Sequence, residues 1–136
     1  MSEFSDTDAV RAERRLHRRV QDAVGLTLRA LGESVAASPA ATAPTHKVSL
    51  SGGGVAFSDS RLLEPGETLE IVLTLFPAGR AIVGEARVVS ANEAPEVADG
   101  DRPTYRLLFT RLDDADRSAL LAHVEELSRT RPIDDA

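Results

Sequence analysis

The residues best equipped for chemistry fall in two short stretches. "RAERRLHRR", residues 11–19, carries Arg11, Arg14, Arg15, Arg18 and Arg19 against a single Glu13. "SLSGGG", residues 49–54, carries Ser49, Ser51 and the run Gly52, Gly53, Gly54. A guanidinium is a planar fork that grips phosphate through two hydrogen bonds and stacks its face on a base. Small polar residues beside glycines let a flat ring lie against the backbone, and glycine also supplies positive φ or a bulge where a chain must turn. Together the two stretches suit an anionic nucleotide. A Walker-type phosphate loop is excluded, because Val55 and Ala56 stand where a lysine and a hydroxyl residue are needed. A dinucleotide loop must open a helix, and the segment after Gly54 is apolar and β-like.

Other chemistries find little support. The chain has no cysteine, which removes thiolate catalysis and disulfides and fits a reducing compartment. His17, His46 and His123 lack zinc-site spacing and are expected to be solvated or hydrogen-bonded side chains. Asp114, Asp116, Ser118 and Glu125 match a calcium loop at the first, third, fifth and twelfth positions, but Ala119 occupies the place that requires glycine. No order of nucleophile and base can be assembled, so an enzyme is not expected. No cofactor or metal is expected either. The net charge of −6 argues against general binding to nucleic acid, whose affinity comes mostly from phosphate neutralisation. No apolar stretch approaches the roughly 20 residues of a membrane helix, and "MSEFSDTDAV" is not a signal peptide. Cytoplasmic placement without membrane contact follows as the expectation.

The 136 residues suffice for one domain with one core. Residues 1–12 and 131–136 read as tails, the first of them disordered. Between Val20 and Leu31 two periods compete. Leu16, Val20, Val24, Leu28 and Leu31 have helical spacing, whereas Val24, Leu26, Leu28 and Ala30 alternate as in a strand. Residues 32–45 are rich in Ala, Ser and Pro without apolar period and read as a flexible excursion. "HKVSLS" and "GVAFS" flank the glycines as strands. "TLEIVLTLF", "AIVGEARVVSA" and "TYRLLFTRL" follow, with a polar loop at residues 92–103. Five or six strands in meander order imply a mainly β fold, an antiparallel barrel or sandwich. Residues 113–129 read as a C-terminal helix with Asp113 as N-cap and an apolar stripe of Leu120, Leu121, Val124 and Leu127.

"RRLHR" and "SLSGGG", in this order around a first strand, resemble the RxxxR and [D/N]xSxxG hallmarks of the PilZ domain, the bacterial receptor module for cyclic di-GMP. Arg14 and Arg18 fall in the first motif, with Arg15 and Arg19 beside them. Ser51 and Gly54 fall in the second. The "PGETLEIVLTL" and "GEARVVSA" strands and the "YRLLFTRLDDADRSALLAHV" ending extend the likeness over residues 13 to about 128. The resemblance implies a PilZ domain over residues 13–130, built as a six-stranded antiparallel β-barrel with a closing α-helix. It also implies that 24–30 is the first strand and 11–19 an arginine loop before it. That loop would order over the nucleotide, with Ser49, Ser51 and the glycines beneath, and reshape a surface read by a flagellar-motor component, a polysaccharide synthase or a regulator. Ser49 departs from the family's usual Asp or Asn, whose carboxylate accepts from both N1 and N2 of guanine. Two readings stay open: a receptor of weakened affinity, and a degenerate PilZ domain that binds no cyclic di-GMP and acts as a protein–protein interaction module.

Overall fold

The computed structural model describes residues 19–31 and 41–130. Six strands follow in chain order: β1 Val20–Ala30, β2 His46–Leu50, β3 Gly54–Ser58, β4 Thr68–Leu75, β5 Arg80–Ala91 and β6 Thr104–Leu112. A 3-10 turn, Pro95–Val97, lies between β5 and β6, and the helix α1, Asp114–Thr130, ends the described chain. The competition over the first element resolves as a strand that starts four residues earlier than the resemblance implied. Its alternate residues Val24, Leu26 and Leu28 are buried in the core cluster. Two neighbouring strands on which to bury that face outweigh helical spacing that has no such surface.

The strands close into a barrel of order β1–β2–β3–β6–β5–β4, every pair antiparallel. A meander would have placed β3 beside β4; instead β3 pairs with β6, and β4 returns to β1. The connection at residues 59–67 makes this possible by crossing between strands that are not neighbours. Tyr105 holds it in place: its buried hydroxyl donates to Arg61 O at 2.9 Å and accepts from Leu63 N at 3.0 Å. Arg61 adds a hydrogen bond from NH1 to Leu28 O at 2.7 Å.

Inward positions alternate as a pleated sheet requires. Val48, Leu50, Val55, Phe57, Leu69, Ile71, Leu73, Ile82, Tyr105 and Leu107 fill the interior at 3% exposure or less. Helix α1 packs against β1 and β5 and sends Leu120 and Val124 into the same core, while Leu121 and Leu127 are half-buried. The carbonyl of Asp113 accepts the amide of Arg117, so Asp113 stands at the N-cap as expected. Of the excursion, residues 41–45 are described and anchored. Ala41 N donates to Thr74 Oγ1, and Thr45 N donates to Val24 O. The tails 1–12 and 131–136, most of the arginine loop and residues 32–40 lie outside the described residues.

Candidate functional site

The glycine corner is a turn built by one hydroxyl. Ser51 Oγ accepts from Gly53 N at 3.2 Å and Gly54 N at 3.0 Å and donates to Gly54 O at 3.3 Å, while Ser51 N donates to Gly54 O at 2.9 Å. Such a serine caps its own turn. The glycines serve a purpose other than positive φ: among the described residues the left-handed glycines are Gly66, Gly79 and Gly100, and none of the run is among them. Gly54 is required because β3 and β6 approach closely there, and a Cβ would collide with the carbonyl oxygen of Leu107. From the helix, Arg117 NH1 reaches Gly52 O at 3.4 Å.

Beside this corner the strand register assembles a row on the barrel's outer face. Gln21 of β1 opposes Ser49 of β2, Ser49 opposes Ala56 of β3, and Ala56 opposes Arg106 of β6. Arg19, the last residue of the basic segment, leans onto the row. Its NH1 donates to Ser49 O at 2.9 Å and to Ser49 Oγ at 3.2 Å. The 3-10 turn packs against β2 and β3 from the other side, so Ser49 is only 4% exposed although it faces outward. Arg106 NH2 pairs with Glu96 Oε2 at 2.8 Å and reaches Glu93 O at 3.4 Å.

Electrostatics tie these residues into one cluster. Burial holds the Arg19 guanidinium below its ordinary value, the positive charge of Arg106 acts in the same direction, and Glu96 opposes both. Glu96 is pushed up by burial, but its own amide, the hydrogen bond from Arg106, and the charges of Arg106 and Arg19 prevail and hold it below the usual glutamate range. Arginine stays protonated even so. A guanidinium kept charged in a place that penalises its charge gains more than an exposed one from an arriving anion. Next to the cluster opens a cleft of about 740 Å³ between the β1–β2 pair and the 96–102 loop, bordered by Gln21, Lys47, Ser58, Glu96, Asp99 and Arg102. That volume lies within the range of small-ligand sites.

Thus two of the expected residues, Arg19 and Ser49, meet directly, and Ser51 with Gly52, Gly53 and Gly54 forms the adjoining turn. Arg14, Arg15 and Arg18 lie outside the described residues. Glu96, Arg106, Lys47 and Arg102 carried no signal in the sequence beyond a polar loop and an alternating strand. The two described histidines are hydrogen-bonded: His46 Nε2 to Asp59 Oδ2 at 2.9 Å, and His123 Nε2 to Asp22 Oδ2 at 2.8 Å. Among the described residues no cluster of three or more potential ligands could hold a metal, and no helix is long and apolar enough to cross a membrane.

Comparison with known proteins bears on the family and the fold. Residues 13–126 match the model of the PilZ domain. The fold resembles that of the Bacillus subtilis inhibitor of motility MotI/DgrA, with a TM-score of 0.63 at 19% identity over 87% of this chain and 53% of that one. It also resembles a tetrameric PilZ domain protein from Xanthomonas campestris that self-assembles through a helical bundle, with a TM-score of 0.51 at 22% identity over 66% of this chain and 50% of that one. The chain therefore spans about half the length of either structure. No curated protein matches it at a significant level.

Proposed function

The chain belongs to the PilZ domain family, and from that premise we propose that it is a cytoplasmic receptor for cyclic di-GMP that acts as an adaptor and performs no chemistry on its ligand. The carrying observation is the meeting of Arg19 with Ser49, which joins the basic segment to the serine–glycine motif on one face of the barrel. Arg14, Arg15, Arg18 and Arg19 close over the nucleotide, pairing with its phosphates and stacking on its bases. Ser49 and Gly52, Gly53 and Gly54 form the floor, and Ser51 shapes it. Ordering of the arginine segment on binding spends part of the binding free energy and creates a new surface. A flagellar-motor component, a polysaccharide synthase or a regulator reads that surface.

One observation favours a second reading. Position 49 bears no carboxylate, and its hydroxyl is already engaged by Arg19. Loss of a charge-assisted hydrogen bond costs about 1.5–3 kcal/mol, one to two decades in affinity. A degenerate PilZ domain that serves only protein–protein contacts is the outcome if that loss is complete. Isothermal titration calorimetry with cyclic di-GMP at low micromolar protein decides. Heat that disappears in both Arg14→Ala and Arg18→Ala supports the receptor; the absence of heat in the parent chain selects the degenerate module.

A further inference from the structure

We propose that Glu96 is the guanine-reading carboxylate of this domain, accepting from the N1–H and N2–H donors of one base seated in the cleft that Glu96 borders between the β1–β2 pair and the 96–102 loop. The inference rests on the receptor reading above and adds to it a residue outside both hallmark motifs.

Three features of the structure carry it. The first is a missing acceptor. Guanine offers two parallel donors on its Watson–Crick edge, and two carboxylate oxygens match them; the single Ser49 hydroxyl cannot, and it already receives a hydrogen bond from Arg19. The second is position. Glu96 sits on the 3-10 turn that lies against β2 and β3, and it borders both the arginine cluster and the cleft. The third is orientation. Arg106 holds Oε2 at 2.8 Å, which restrains the carboxylate and leaves Oε1 to a ligand, while the side chain keeps a third of its surface open. The cleft is large enough for a purine, with Lys47 at its border and Arg102 paired with Asp99 at 3.8 Å.

A competing role is physically distinct. A carboxylate paired with Arg106 and within the field of Arg19 can act as an internal anion that occupies a phosphate position, and the two roles predict opposite signs. If Glu96 reads the base, its removal weakens binding; if it mimics phosphate, its removal strengthens it.

The experiment is calorimetry of the full chain with cyclic di-GMP and with cyclic di-AMP, whose adenine lacks both donors, on the parent chain and on Glu96→Gln. Glutamine keeps the size and one acceptor, and thermal melting of both proteins confirms equal folding. The expected result is a preference of the parent chain for cyclic di-GMP and a loss of about ten- to a hundredfold in Glu96→Gln, with no loss toward cyclic di-AMP. Ser49→Asp introduced into Glu96→Gln should recover the affinity for cyclic di-GMP. Unchanged or tighter binding of cyclic di-GMP by Glu96→Gln overturns the role of Glu96 while leaving the receptor standing. No binding by the parent chain overturns the receptor itself, and the role of Glu96 with it.

Discussion

Arg19 and Ser49, thirty positions apart, share two hydrogen bonds: one guanidinium nitrogen donates to the Ser49 carbonyl at 2.9 Å and to its hydroxyl at 3.2 Å. The contact places the end of the basic segment over β2 before any ligand arrives. Arg19→Ala should therefore weaken cyclic di-GMP by about ten- to a hundredfold, the worth of a charge-assisted hydrogen bond. Arg19→Lys should fall between, because it keeps charge and loses the fork. Calorimetry checks both, and equal affinity in all three proteins would remove Arg19 from the site.

Ser51 has a different fate from Ser49. Its hydroxyl accepts two amides and donates to one carbonyl within its own turn, at 3% exposure. Ser51→Ala leaves those amides without their acceptor, and a stability loss of about 1–3 kcal/mol is expected in urea unfolding. A variant as stable as the parent would show that the turn holds without the hydroxyl.

Gly54→Ala tests the close approach of β3 to β6. The added methyl meets the Leu107 carbonyl, which belongs to a strand and cannot rotate aside. The expected cost is about 2–3 kcal/mol, measured by denaturant midpoint. A cost below about 0.5 kcal/mol, typical of an unconstrained surface position, would mean that the strands part freely there.

Tyr105→Phe removes the hydroxyl that pins the crossing connection and keeps the ring that packs near Phe57. Thermal melting should show a fall of roughly 5 °C, from the loss of two hydrogen bonds at a buried site. An unchanged melting temperature would mean that Arg61, through Leu28 O, suffices to hold the loop.

Acid should destabilise the domain through two carboxylates. Burial pushes Asp59 up, but the Arg61 amide and the His46 ring overcome it, and its folded-state value lies below the ordinary one, as does that of Glu96. A depressed carboxylate contributes stability that is complete above its unfolded value, about 4, and is lost as pH falls through the folded value. The unfolding midpoint should stay flat on this account between about pH 7 and 5 and fall below about pH 4. Asp59→Asn should fall less steeply, and identical acid limbs in the two proteins would assign the loss to other groups.

Local signals in the sequence were enough to mark the last five strands and the helix, while β1, Val20–Ala30, was left between two periods. Alternating apolar residues mark β2 through β6, and the Asp113 cap with its apolar stripe marks α1. The residue types at 14–19 and 49–54 also establish that arginine chemistry and a small-residue corner belong to the same chain. Periodicity, however, constrains only neighbours within one element. It could not place β6 beside β3, because that pairing depends on closing a loop between distant segments and burying both faces at once. For the same reason the division of labour between Ser49 and Ser51, and the presence of Glu96 and Arg106 at the site, were decided only in three dimensions. Register across β1, β2, β3 and β6 sets which outward side chains share a row, and which hydroxyls are already satisfied is a property of that register.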